Sequence, residues 1–141
     1  MTNPKTILLV DDDPDFTAVV EATLTAAGYR LLAAADEASG FELARAEGPD
    51  LALLDLMMEE NDSGARLAHR LRRELPDWRA PIVILTAVRS ATAFDFRPAT
   101  ADDFAWVGAD AWVEKPITPQ KLIALVSALL KEEDSLGGEP G

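Results

Sequence analysis

Apolar residues gather along the chain in five short runs, separated by longer stretches with helical spacing. The runs are Ile7–Val10, Arg30–Ala34, Leu51–Leu54, Ile82–Leu85 and Ala111–Val113. Their brevity and density in Ile, Leu and Val predict strands buried on both faces. The intervening stretches place apolar side chains on single stripes. Phe16, Val19, Val20 and Leu24 do so in Asp15–Ala27, and Phe41 and Leu43, more sparsely, in Asp36–Glu47. Leu67, Leu71 and Leu75 mark Gly64–Leu75, and Leu122, Leu125, Val126, Leu129 and Leu130 mark Pro119–Leu130. Asp13 before Pro14 and Thr118 before Pro119 are capping side chains ahead of a proline suited to the first helical turn. Gly28, Gly48 and Gly108 follow helical stretches, where a left-handed residue ends a helix at little cost. Strands alternating with helices predict right-handed crossovers and an α/β fold, with a five-stranded parallel sheet covered by helices on both faces.

Composition narrows the function. The chain has 141 residues, enough for one domain. No apolar run approaches the roughly 20 residues of a membrane helix, and the N-terminus is a poor secretion signal, so a soluble cytoplasmic domain with no membrane partner is expected. The absence of cysteine excludes disulfides and thiolate chemistry, and the single histidine, His69, argues against a multi-histidine metal site. A net charge of −12 disfavours nucleic-acid binding by this domain. Arg66, Arg70 and Arg73 share a helical face, with Arg72 and Arg79 nearby; a solvated face opposite the leucine stripe accounts for them. The domain is expected over residues 1–131, and the polar, glycine-containing 132–141 is expected to be a flexible tail or the start of a linker.

In an open parallel sheet the ligand site lies at the carboxyl ends of the strands. Asp11, Asp12 and Asp13 follow the first run, Asp55 the third, Thr86 the fourth, and Glu114 and Lys115 the fifth. Carboxylates crowded together repel, and burial adds to the cost. A hard cation such as Mg²⁺, with a few carboxylates and several waters, resolves that conflict. A carboxylate beside such a cation can attack a phosphoryl group without a general base, while a lysine and a hydroxyl neutralise the equatorial oxygens.

Four segments in order, ILLVDDDPDF, DLALLDLMM, PIVILTA and GADAWVEKPITP, cover nearly the whole chain. Together they resemble the receiver domain of two-component response regulators. The resemblance implies a flavodoxin-like doubly wound fold with Asp55 as phosphoacceptor. It also implies Mg²⁺ held by Asp12, Asp55 and the Met57 backbone carbonyl, with Asp11 acting through water. Thr86 would bond a phosphoryl oxygen, Lys115 would pair with phosphoryl or carboxylate oxygen, and Trp112, with Thr86, would form the switch. A sensor histidine kinase or phosphotransfer protein would supply the phosphoryl group, and a downstream protein of unknown identity would read the state. The protein would not be an enzyme beyond slow self-dephosphorylation.

Two departures from the family pattern stand out. Met58 is followed by Glu59 rather than proline, and Gly64 comes one residue late, through EENDSG. Thr86 and Lys115 are 29 positions apart (86 to 115), several more than usual, and Val88–Ala101 lacks a helical stripe and contains Pro98. The fourth helix is therefore expected to shrink to about Asp102–Val107 or to give way to a loop. Two alternatives remain open on sequence. One is a haloacid-dehalogenase-like aspartyl phosphatase, with Asp13-Pro14-Asp15-Phe16-Thr17 as its motif and Asp102-Asp103 as a later acid pair. The other is a receiver-like interaction module that is not phosphorylated.

Overall fold

Each of the five apolar runs is a strand. In the computed structural model, which describes residues 4–56, 63–87, 109–115 and 117–136, the strands are β1 (Thr6–Val10), β2 (Arg30–Ala34), β3 (Leu51–Asp55), β4 (Ile82–Ala87) and β5 (Ala111–Lys115). The helices are α1 (Pro14–Ala26), α2 (Glu37–Glu47), α3 (Ser63–Glu74) and α4 (Pro119–Leu136). The strands form one parallel sheet in the order β2-β1-β3-β4-β5, the flavodoxin-like doubly wound arrangement. The expected helix near Asp102–Val107 and the turn at Gly108 lie outside the described residues. α4 runs on through residue 136, past the point where the composition turns polar. Lys131, Glu132 and Glu133 are good helix formers, so nothing local stops it there.

Alternation along each strand divides the core in two. Ile7, Leu9, Leu51, Leu53, Val83 and Leu85 face α1 and α4 and pack with Val20, Leu24, Leu122, Val126 and Leu130. Leu8, Val10, Ala52, Leu54, Ile82 and Ile84 face α2 and α3 and pack with Phe41, Ala44, Leu67 and Leu71. The α1 stripe is narrower than its sequence predicts: Val20 and Leu24 are buried, but Val19 is 53% exposed. Phe16, Val20 and Leu24 recur every four residues on one line, and Val19 stands about 100° off it.

The caps form as predicted. Asp13 accepts a hydrogen bond from the Asp15 amide (2.9 Å), and Thr118 Oγ1 accepts from the Lys121 amide (3.2 Å). Gly28 and Gly48 both take positive φ, at +99° and +56°. The arginine face of α3 is engaged by acids and an aromatic ring. Arg66 pairs with Glu37 (3.2 Å) and Arg70 with Glu74 (3.3 Å), and the Arg70 guanidinium lies 3.8 Å from the Phe41 ring centroid.

Asp110 fastens the end of the sheet remote from the strand carboxyl ends. Its Oδ2 accepts from the Ile82 amide (2.8 Å) and from Arg72 Nη2 (2.9 Å), and its own amide donates to the Ile82 carbonyl (2.7 Å). Arg72 also donates to the Ala80 carbonyl (2.9 Å). Asp110→Ala leaves the first amide of β4 without its acceptor, so urea unfolding is expected to show a loss of about 1–3 kcal/mol, with Asp110→Asn losing less. A variant as stable as wild type would show that water replaces the carboxylate at no cost.

Candidate functional site

The same alternation that builds the core directs the site. Leu9 and Leu53 face α1 and α4, so Asp11 and Asp55, two positions further on, project to that side at the sheet's edge. Val113 faces the same side, and so does Lys115. β1 and β3 are neighbours, with Val10 opposite Leu54, so the two acids meet where the direction of winding reverses. One oxygen from each of Asp11, Asp12 and Asp55 can be chosen so that all three lie within 4.8 Å of one another. Asp11 and Asp55 are buried and Asp12 is exposed.

Lys115 closes the group. Its Nζ donates to Asp11 Oδ2 (3.0 Å) and lies 3.5 Å from Asp55 Oδ1. Asp11 is also fixed by accepting the Asp13 amide on Oδ1 (2.9 Å), while its own amide donates to the Ala34 carbonyl of β2 (3.0 Å). Burial pushes the Asp55 carboxyl up to about 6, and the neighbouring Asp11 charge pushes the same way. Lys115 opposes the rise but does not cancel it. Two buried acids and one lysine thus leave negative charge uncompensated. An all-oxygen donor set with an open side at Asp12 suits a hard cation that keeps several of its waters.

Thr86 is buried at the end of β4, one position beyond Leu85, the register partner of Asp55. Trp112 is half-buried on β5 opposite Ile84 and packs against the α2–α3 side of the core. Alternation puts Thr86 on that same side, two positions along from Ile84. The Met57 carbonyl, Glu59 and the whole of 88–107 lie outside the described residues.

Two contributors to the site were not singled out on sequence. Gly64, despite arriving one residue late, sits directly on the end of β3. Its amide donates to the Leu56 carbonyl (2.8 Å), and a Cβ on it would fall 2.2 Å from the Asp55 carbonyl oxygen. Phe16, read only as a stripe residue, lies under Lys115, with Nζ 4.3 Å from the ring centroid. Its place four residues after Asp12 was the one available signal. Asp13, the nucleophile of the phosphatase alternative, is exposed, occupied as the α1 cap and outside the acid trio; Asp102 and Asp103 lie outside the described residues.

Comparison with known proteins agrees with this geometry. The pattern defining the response regulator receiver domain matches residues 7–127, and the chain belongs to that family. It is a receiver domain of the two-component type, a signalling domain rather than a metabolic enzyme. It is 34% identical over 134 residues to the DNA-binding dual master transcriptional regulator RpaA of Synechocystis sp., covering 92% of this chain and 51% of that protein. It is 35% identical over 127 residues to the phosphate regulon transcriptional regulatory protein PhoB of Pseudomonas aeruginosa, covering 90% and 52%. The chain therefore spans about half the length of each of these relatives. Among solved structures, a CheY-like receiver domain protein from Methanospirillum hungatei superimposes with a TM-score of 0.75 at 26% identity, covering 94% of this chain and 98% of the other. The chemotaxis protein CheY4 of Vibrio cholerae gives 0.77 at 25% identity, covering 90% and 99%.

Proposed function

We propose that Asp55 is the phosphoacceptor of this receiver domain and that Mg²⁺ is held by Asp12, Asp55 and the Met57 backbone carbonyl, with Asp11 acting through a water. The observation that carries the reading is the buried Asp55 carboxylate, crowded by Asp11 and reached by Lys115 at the carboxyl edge of the sheet. A sensor histidine kinase or phosphotransfer protein presents the phosphoryl group. An Asp55 oxygen attacks the phosphorus; the bond to the donor breaks, and the donor leaves with the electron pair. Above pH 6 the carboxyl is already ionised, so no base is needed. Lys115 and Thr86 donate to the transferred oxygens and spread their charge. The bound cation supplies further charge neutralisation. Slow hydrolysis of the acyl phosphate resets the domain.

The domain acts in the cytoplasm and does not itself bind nucleic acid; its state is read by a downstream partner. No helix among the described residues is long and apolar enough to cross a membrane. The relatives named as DNA-binding or transcriptional regulators are about twice as long, which suits an output function carried elsewhere in such proteins.

Incubation with acetyl phosphate and Mg²⁺, followed by mass spectrometry, is expected to show one added phosphoryl group on the wild type and none on Asp55→Asn. Label persisting in the variant would move the acceptor elsewhere. Output runs through Thr86 and Trp112 in this reading. With Trp78 and Trp106 replaced by phenylalanine, beryllofluoride with Mg²⁺ is expected to change Trp112 emission. Unchanged emission at demonstrated occupancy of Asp55 would place the output on another surface.

A further inference from the structure

We propose that Phe16 is a positioning residue for Lys115, its ring holding the ammonium in place at the phosphoryl-accepting carboxylate. The inference rests on the reading of Asp55 given above. Lys115 ends a flexible four-carbon stem, and holding its tip in one place costs rotamer entropy. Three groups hold it: Asp11 Oδ2 at 3.0 Å, Asp55 Oδ1 at 3.5 Å, and the Phe16 ring face at 4.3 Å. Two of these change during function. Cation binding draws the same carboxylates, and phosphorylation turns one Asp55 oxygen into the bridging oxygen of an acyl phosphate. The ring neither ionises nor binds metal, so its attraction for the ammonium persists through every state.

The fold fixes the ring independently of the acids. Phe16 lies on the α1 line whose next members, Val20 and Leu24, are buried, and it packs against the α1–α4 side of the core. Alternation along β5 sends Lys115 to that same side. α1 begins at Pro14 behind the Asp13 cap, so the helix start that carries Phe16 follows directly from the acidic segment. The bland alternative is that Phe16 only fills space beside the core. Leucine would then serve as well.

The test uses the full chain in three forms: wild type, Phe16→Leu and Phe16→Tyr. With ¹³C-labelled lysine, the Lys115 ε-methylene resonances of the donor-free wild type are expected upfield of the other lysines, because they lie over a ring face. The shift should vanish in Phe16→Leu and persist in Phe16→Tyr. With acetyl phosphate and saturating Mg²⁺, phosphorylation of Asp55 should slow about three- to tenfold in Phe16→Leu and recover in Phe16→Tyr. A Phe16→Leu chain phosphorylated at the wild-type rate would overturn the role. So would an unshifted Lys115 in the wild type, a measurement that needs no variant to fold. A wild type that shows the shift yet takes no phosphoryl group on Asp55 would overturn the reading of the site itself, whereas one that is phosphorylated without the shift would overturn Phe16 alone.

Discussion

Gly64→Ala is expected to cost about 3 kcal/mol or more in urea unfolding, a large part of the 5–15 kcal/mol that holds a domain of this size. The added Cβ would meet the Asp55 carbonyl oxygen at 2.2 Å and the Asp55 carbonyl carbon and Leu56 Cα at 2.8 Å. All three are backbone atoms at the end of a central strand, so no rotamer change relieves the clash; α3 must move off β3. The gain of roughly 0.5–1 kcal/mol that alanine brings to a helix does not offset this. Gly28→Ala is the control. Its φ of +99° strains an alanine, but nothing lies within 4 Å of the new Cβ, so a loss of only about 1–2 kcal/mol is expected. Equal losses in the two variants would show that α3 yields to the added Cβ at little cost, against the close contact argued for position 64. Because the clash falls on Asp55 itself, Gly64→Ala should also slow phosphorylation by more than its stability loss explains.

The second large effect is a reversal of sign. Without divalent cation at pH 8, Asp55→Asn is expected to be more stable than the wild type, by about 1–2 kcal/mol once solvent screening at the open rim is allowed for. Burial and Asp11 raise the Asp55 carboxyl from 3.8 to about 6, so between these values the folded state binds more protons than the unfolded state. The wild type is therefore at its best below pH 4 as far as this group is concerned, and that contribution is lost as pH rises through 6. Asp55→Asn should remove this slope, and the two proteins should converge near pH 4. Adding Mg²⁺ at pH 8 should invert the order. A ligand at 100 times its dissociation constant adds about 2.7 kcal/mol to the wild type. The gain should be much smaller in Asp55→Asn and in Asp12→Ala, which lack a proposed ligand. Wild-type melting that ignores millimolar Mg²⁺, or an Asp55→Asn chain less stable than wild type at pH 8 without it, would contradict the charge conflict at the centre of the site.

The arginines of α3 show how a sequence motif can be deflated by its surroundings. On sequence Arg66, Arg70 and Arg73 align as a cationic stripe. In the fold Glu37, Phe41 and Glu74 engage Arg66 and Arg70, and Glu74 also lies 3.5 Å from Arg73. Such exposed pairs add little stability, but they leave the stripe facing acids of its own domain.

Strand and helix positions were legible in the chain because they rest on short-range periodicity. Ile7–Val10 and Leu51–Leu54 are too short and too continuously apolar for surface helices, and the order of elements alone implies a parallel sheet. The acids at the strand ends followed from that order, since a parallel sheet collects the residues after its strands on one edge. What required the tertiary structure was everything set by contact across elements. The α1 stripe includes Val19 on paper, yet packing against the sheet selects only the line through Phe16, Val20 and Leu24. Gly64 is only a late glycine in sequence; in three dimensions it lies against the Asp55 backbone with no room for a Cβ. Asp110 looks like one more surface acid until the Ile82 amide and Arg72 converge on it. Phe16 and Lys115 are 99 positions apart (16 to 115), and no local pattern links them. Only the packing of α1 beside α4 on one face of the sheet, together with the side-chain parity of β5, brings the ring beneath the ammonium, because burial of each helix's apolar line decides which face its remaining residues share.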